Sequence, residues 1–410
     1  MKSLQGIRIL DLSRILAGPW ASQLMADMGA EVIKVERPGR GDDTRSWGPP
    51  WLDAGPEPVS AYFLSCNRGK QSVCIDFSGP RGQALVRELA AHSDILLENY
   101  RPGSLARYGL DYDSLHAVNP NLVYCSITGF GQDGPYRHRN GYDLLLQAMG
   151  GLMGITGMPP EAGGAPVKVG VAVTDILTGL YAATACLGAL RERDQGATGR
   201  HIDLSLMDVQ VASLANQAMN YLVGGQVPVP MGHAHPNIVP YQAFATADAY
   251  LVIAVGNDEQ FRRLCQVLDR PALAATPEYS SNAARVRHRE PLVSQLADAF
   301  QARKRDEWLN ALEAAGVPAG PVNDMAQVFA DPQVQARGLV TELHHPQFGA
   351  VPTVASPIRD GSASEEHAVT PPPALGEHTD AVLGRLLGLN ADALTSLRDE
   401  GVIGGTHKGR

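Results

Sequence analysis

Asp175 lies in the run VGVAVTDILTGLYAATACLGAL (169–190), with apolar residues on both sides. Two readings of it stand. Asp and Thr are favoured N-cap residues, so Asp175 or Thr174 can open the helix that follows. A carboxylate at a helix N-terminus is also held ionised by backbone amides and the helix dipole. In a water-poor pocket such a group is a usable nucleophile. A second set of residues reads anions. Arg37 and Arg45 flank the Gly-rich stretch ERPGRGDDTR (36–45). Asn67, Arg68, Gly69 and Lys70 form another such stretch, and Asn99, Tyr100, Arg101 and Arg107 a third. Arginines suit phosphate through bidentate, charge-assisted bonds. Their recurrence after successive strands points to a phosphorylated ligand.

Other chemistries fit poorly. His233 and His235 are two apart beside a proline, which is not a helical metal-ligand pair, and no metal is expected. His344 and His345 are adjacent and cannot both face one site on a strand. Ser126 and Ser205 lack the glycines of a nucleophile elbow. The first turn, SRILAGPW, has no GxGxxG, which argues against a nicotinamide cofactor.

Several elements must position these groups. IRILDLS (7–13) and EVIKVE (31–36) read as strands around a helix from about Trp20 to Met28, closed by Gly29. SVCIDF (72–77), DILLENY (94–100) and NLVYCSITGFG (121–131) continue the strands, with a helix over 82–93. Apolar strands alternating with helices predict a parallel sheet covered on both faces. One long helix follows Asp175, and 201–222 reads as a strand leading into a second long helix. The Gly- and Pro-rich stretch 224–237 reads as a linker into a smaller unit of two strands and helices. PAGPVND (318–324) leads back to short strands, a PPP turn (371–373) and a final helix near HTDAVLGRLLGL. The stretch SASEEHAVT (362–370) approaches low complexity.

The 410 residues carry a net charge of −9, with no Lys/Arg run. That disfavours nucleic acid, whose binders neutralise phosphates with a basic patch. The tail THKGR (406–410) reads as a solvated terminus. Five cysteines without CxxC spacing suggest reduced thiols in the cytoplasm. The start shows no leader character, and Asp175 interrupts the one apolar run of membrane length. That run therefore reads as a core helix, with no membrane expected.

Taken together, the segments LQGIRILDLSRILAGP, GAEVIKVERPGRGDDTR, SCNRGKQS, DILLENYRPGSLARYGLDY, SITGFGQDGP, GYDLLLQAMGGLM, VAVTDILTGLYAATACLGAL and TGRHIDLSLMD resemble the family III CoA-transferases, also called the CaiB/BaiF family. VPAGPVND, DPQV and ALGEHT extend the likeness over nearly the whole chain. The resemblance implies an α/β fold with a Rossmann-like large domain built from both chain ends, a smaller α+β domain, and an interlocked homodimer. The expected division is 1–223 and 331–410 for the large domain and 224–330 for the small one. The resemblance also implies exchange of coenzyme A between an acyl-CoA and a free carboxylic acid, with no permanently bound cofactor. Asp175, in its D-x-x-T-G context, matches the family's nucleophile. CoA contacts carry over to Leu16, Ala17, Arg37, Asn67 to Lys70, Asn99 to Arg101, Arg107, and Asn140, Gly141, Tyr142 and Asp143. Leu16 stands where the family has a glutamine. The family's covering loop has no glycine run here; MGHAHPNIVPYQAF (231–244) takes its place, making His233 and His235 substrate-contact candidates.

Within the family the likeness is to the succinyl-CoA:glutarate branch, which implies a short dicarboxylate. Arg45, Arg137 and Arg139 are candidates for its distal carboxylate. A racemase of the same fold is an alternative, but it needs a G-H-D histidine as base. Here Gly141-Tyr142-Asp143 offers a tyrosine, ordinarily of pKa about 10. A non-catalytic CoA-binding protein is the other.

Overall fold

The computed structural model describes residues 2–52, 58–359, 361 and 369–404. Most of the 362–370 stretch and the whole THKGR tail lie outside the described residues. The chain forms two compact units. The first comprises Met1–Leu152, Val169–Ala218 and Val334–Arg410; the second comprises Met153–Lys168 and Met219–Gln333. The sequence reading assigned 153–168 to the large domain. In the structure the backbone N–H of Gly232 donates to the Gly157 carbonyl at 2.7 Å, which ties that stretch to the second unit.

In the first unit, β1 (Arg8–Asp11), β2 (Glu31–Glu36), β3 (Lys70–Ile75), β4 (Ile95–Glu98), β5 (Val123–Thr128) and β6 (His201–Ser205) run parallel. A short β7 (Ile403–Gly404) pairs antiparallel with β3 at the edge. The spatial order is β7-β3-β2-β1-β4-β5-β6. The parallel part is thus 3-2-1-4-5-6, the doubly wound order, and its direction reverses between β1 and β4. Registered neighbours alternate between faces. Ile9, Val32, Ile95, Val123 and Cys125 pack in one core with Ala21 and Met25 of α1 (Ala17–Asp27). Leu10, Ile33, Leu96 and Tyr124 pack in another with Val86 and Leu89 of α2 (Pro80–Ala91). Two apolar faces account for the near-continuous apolar strands of the sequence.

Two further helices belong to the site: α3 (Asp143–Met149) and α4 (Val173–Arg193). By length and composition α4 could cross a membrane, yet Ala182, Ala183 and Cys186 lie in the same core as α1. Asp175 is not its N-cap. Ala172 holds that position, so Asp175 is the third helical residue. The stretch after β6 is two helices rather than one: α5 (Leu206–Ala212), then Ala215–Gly224. The second starts at Ala215, whose φ of +46° is a left-handed backbone that keeps the first helix from running on. The C-terminal part adds a helix over Ala391–Asp399 that the sequence reading did not separate.

The second unit has a three-stranded antiparallel sheet, with Tyr250–Ala254 between Tyr241–Ala245 and Ala319–Pro321. Phe244, Phe261, Leu264, Phe300 and Trp308 fill its core. The sequence reading had two of these strands; the third is the PAGP segment it took as a link.

The D-x-x-T-G motif has a packing cause. The Thr178 hydroxyl donates to the Thr174 carbonyl at 2.7 Å. A Cβ on Gly179 would stand 2.7 Å from the Ala17 carbonyl oxygen and 3.1 Å from the Trp20 side chain. Only glycine lets α4 approach the first turn of α1 this closely. Gly179→Ala is therefore expected to destabilise the fold by about 1–3 kcal/mol, the usual cost of overpacking. Denaturant unfolding measures it, and an unchanged midpoint would show that the helix contact yields without cost.

Candidate active site

Open α/β sheets bind ligands beyond the carboxyl ends of their strands, where the order reverses. Here that crevice lies between the loops after β1 and β4. It holds a cavity of about 440 Å³. Asp175 lines it together with Leu16, Ala17, Asn99, Tyr100, Arg101, Arg107, Asn140, Gly141, Tyr142 and Asp143, and also Arg139. A neighbouring cavity of about 460 Å³ is lined by Arg37, Lys34 and Tyr108. The two share Arg14, Tyr100, Ser104 and Arg107 along their walls.

Asp175 owes its state to Asp143. One Asp143 oxygen accepts from the backbone N–H of Thr174 at 2.9 Å and of Asp175 at 3.3 Å. The other accepts from the Gln147 amide at 2.7 Å. Gln147 in turn accepts from the Val169 N–H at 2.9 Å, fixing the chain as it enters α4. Asp143 thus caps α4 from another helix. Among the described residues no donor reaches the Asp175 carboxylate. The sequence reading expected the helix amides to hold Asp175 ionised; the structure gives them to Asp143. Burial, and then the Asp143 charge, push the Asp175 carboxyl up to about 7.

A close backbone crossing brings Asp143 there. A Cβ on Gly129, just past β5, would stand 2.5 Å from the Gly141 Cα, and one on Gly141 would stand 2.2 Å from the Gly129 Cα. The two glycines let the chain cross the end of β5 and start α3 beside α4. Tyr142, between Gly141 and Asp143, remains 61% exposed, so its ring is available to the cavity rather than packed away.

Buried charge shapes the β1–α1 loop. Lys34 on β2 donates to the Ser13 carbonyl at 2.8 Å and pairs with Asp42 at 2.9 Å. Burial would favour a protonated Asp42 carboxyl, but Lys34 and the Thr44 donors hold it down at about 2. Asp42 also accepts from the Ile15 N–H at 3.3 Å. Ile15 has φ +73°, a strained conformation for a β-branched residue, costing about 1–3 kcal/mol. The Asn99 side chain clasps the same loop, accepting from the Arg14 N–H at 2.9 Å and donating to the Arg14 carbonyl at 2.7 Å. Arg14 was missed in the sequence. It pairs with Asp43 at 2.9 Å, lies over the Tyr100 ring at 5.3 Å and borders both cavities. Its place after β1, at the carboxyl end of a parallel strand, was the available signal.

Several nominated residues have protein partners of their own. Arg68 forms a two-pronged pair with Asp27, at 2.9 and 2.5 Å. Lys70 is buried; it donates to Asn67 at 3.0 Å and to the Pro19 carbonyl at 2.9 Å. Burial lowers the Lys70 ammonium to about 8. Gly69 has φ +75° and donates to the Thr370 carbonyl at 2.8 Å. None of Asn67 to Lys70 borders the two cavities. Arg45 is held by both Glu36 oxygens, at 2.8 and 2.7 Å, and lies over the Phe63 ring. Arg137 is exposed and donates to His138 at 2.9 Å. Arg139 lies over the Tyr136 ring at 3.9 Å. His233 and His235 belong to the second unit, where each ring Nδ1 accepts a backbone N–H, from Ala243 and Asn237 respectively.

The sequence profile described as CoA-transferase family III matches residues 4–379. The chain belongs to this family. The family III chain is 49% identical to the succinate–glutarate CoA-transferase of Agrobacterium fabrum, over 93% of its own length and 95% of the relative's. It is 45% identical to the human succinyl-CoA:glutarate CoA-transferase, over 98% of its length and 90% of the relative's. The crystal structure of a CaiB/BaiF family protein from Brucella suis matches with TM-score 0.82 and 48% identity, covering 94% of this chain and 99% of that one. The protein is therefore an enzyme, a family III CoA-transferase whose substrates are CoA thioesters and carboxylic acids.

Because Asp143 raises the Asp175 pKa through charge and caps α4 through its oxygens, the two roles can be separated. Asp143→Asn keeps an acceptor for the helix amides and removes the charge. The Asp175 carboxyl gains its proton as pH falls through about 7, so any step that needs the carboxylate slows there. In Asp143→Asn the acid limb of the kcat/KM profile is expected to move to lower pH, with little change in Tm. An unmoved acid limb would assign the shift to burial alone.

Proposed function

We propose that this CoA-transferase moves CoA from succinyl-CoA to glutarate or a similar short dicarboxylate, with Asp175 as the covalent nucleophile. One observation carries the reading: a partly buried carboxylate, without a donor among the described residues, in the wall of a cavity that arginines also line. Around neutral pH a large share of it is ionised, and it is more basic than an ordinary carboxylate. An anhydride intermediate there would require water to be kept scarce around it.

In the proposed reaction an Asp175 oxygen attacks the donor thioester carbonyl. The C–S bond breaks, giving a mixed anhydride and CoA thiolate. The thiolate then attacks the aspartyl carbonyl, releasing the donor acid and leaving an aspartyl-CoA thioester. The acceptor carboxylate attacks that thioester and forms a second anhydride. The thiolate finally takes the acceptor's acyl group and restores Asp175. Each step is ordinary nucleophilic exchange. Leu16 and Ala17 would meet the CoA chain through backbone groups. Arg101, Arg107 and Arg37 would meet its phosphates, with Arg14 between the cavities. Of the three arginines nominated for the distal carboxylate, Arg139 is favoured, because it alone borders the cavity that Asp175 lines.

The dicarboxylate assignment rests on the names of the relatives at 45–49% identity. We further read the chain as an interlocked homodimer, on the family resemblance, with exposed Leu180 and Tyr181 of α4 as apolar surface for a partner. A cytoplasmic location is in keeping with five buried, unpaired cysteines.

Incubation with succinyl-CoA and, separately, glutarate, itaconate, citramalate and acetate is expected to give glutaryl-CoA fastest by chromatography. Asp175→Ala should abolish exchange, by at least about a thousandfold, while CoA binding persists. Exchange at the wild-type rate in that variant would sink the nucleophile. Transfer to none of the four acids, with solvent deuterium entering the α-carbon of an acyl-CoA, would establish the racemase instead.

A further inference from the structure

Behind the loop that carries Tyr100, Arg101 and Arg107 lies a third, small cavity of about 50 Å³. Glu98, at the end of β4, stands in it with a side chain 5% exposed. One Glu98 oxygen accepts the Tyr100 N–H at 2.7 Å, so the carboxyl anchors the first turn of that loop. Ser126, its registered neighbour on β5, stands beside Glu98, where its hydroxyl favours the ionised carboxyl. The Ser126 hydroxyl also meets the His201 Nε2 at 2.9 Å. His201 is exposed on its outer side and stacks on Tyr112 at 5.0 Å. A chain of neighbouring groups thus runs from the loop to solvent: Tyr100 N–H, Glu98, Ser126, His201.

This chain satisfies every partner in either of two directions. With Glu98 protonated, its O–H donates to Ser126 and the Ser126 hydroxyl donates to His201. With Glu98 ionised, the Ser126 hydroxyl turns to Glu98 and accepts from the other His201 tautomer. We propose that Glu98 is a positioning residue whose protonation, relayed through Ser126 and His201, tunes the affinity of the Asn99–Arg107 loop for the phosphates of CoA. The proposal rests on the CoA-binding reading of that loop.

The surroundings agree with it. Burial pushes the Glu98 carboxyl up to about 7, aided by the Asp203 charge. From neighbouring elements it is faced by Asp203 and His201 on β6, Tyr124 on β5, and Asp111 ahead of Tyr112; Arg101 comes from its own loop. Burial lowers the His201 imidazole, leaving it neutral and able to accept. An ionised Glu98 places a negative charge behind a phosphate site, so the protonated form binds CoA more tightly. By linkage, CoA binding draws a proton onto Glu98, and affinity falls as pH rises through the Glu98 pKa.

Titration calorimetry with free CoA, in buffers of different ionisation enthalpy, counts the protons taken up. The Asp175→Asn protein removes titration of the nucleophile; it is compared with the same protein carrying Glu98→Gln, an isostere of the protonated acid. Titration of CoA's own phosphate is common to both. Between about pH 6 and pH 8.5, CoA affinity of the first protein is expected to fall about tenfold further than that of the second. Its extra proton uptake near pH 7 should vanish in the second. Equal uptake in the two proteins overturns the proposal. If Glu98→Gln does not fold, His201→Phe keeps the stacking and removes the acceptor, which favours the ionised form. It should move the affinity transition to lower pH, and an unmoved transition overturns the proposal. Wild-type protein that binds no CoA at all overturns the reading of the loop itself.

Discussion

A helix end has a fixed number of free amides, and in this protein two carboxylates compete for one such end. Asp143 wins the N–H groups of Thr174 and Asp175. Asp175, although it sits in the first turn, is left without a donor among the described residues. The helix dipole still favours a nearby negative charge, but Asp143 already supplies one. The second carboxylate meets burial and like-charge repulsion together, and its proton is held to about neutral pH. An ordinary capping interaction thus makes a neighbouring acid more basic. The rest of the site exists to keep this allocation: Gln147 fixes Asp143, and the Gly129–Gly141 crossing brings α3 to the helix end.

The β1–α1 loop shows the same economy with opposite signs. Lys34, Lys70 and Arg45 are buried or nearly so beneath the carboxyl ends of the strands, facing Asp42, Asp11 and Glu36. Burying such charges is costly unless they are paired and hydrogen-bonded, as these are. In return the network grips the loop. It holds the Ser13 carbonyl and the Ile15 N–H, the latter in a backbone conformation that isoleucine would not adopt alone. Asn99 grips Arg14 from the other side of the switch point. A strained loop clamped from both sides is a rigid wall for a long, flexible ligand.

Much of this could be read from the residues. The strands, their order of appearance, and the apolar setting of Asp175 were legible because period and turn chemistry are local. Anion-reading groups after β2 and β4 were legible because ligands gather where strands end. The failures share one cause: side-chain partners chosen by tertiary contact. Nothing local announces that Asp143 reaches α4 across 31 residues, or that Arg68 finds Asp27 across 41. Lys70 follows an arginine and a glycine and looks like part of a phosphate loop. Strand pairing turns it inward instead, beneath α1. Arg45 and Glu36 are a nearer case: nine residues apart around a glycine turn, they could have been paired by inspection. The break at Ala215 left no glycine or proline to mark it.

The edge strand β7 has a consequence for how the chain is made. β3 borders β2 on one side, and on the other it is closed by residues 403 and 404, with the His378 N–H donating to the Ser72 carbonyl and the Thr379 hydroxyl accepting the Cys74 N–H. A ribosome delivers β3 more than three hundred residues before it delivers those partners. Throughout that interval the nascent sheet carries an open, apolar margin, the kind of margin that invites pairing with another chain. Asp143 and Asp175 are both synthesised during this interval. The Asp175 cavity is thus assembled on a sheet whose edge is closed only when residues 403 and 404 arrive, and a chain released before them would carry that cavity on an unfinished sheet.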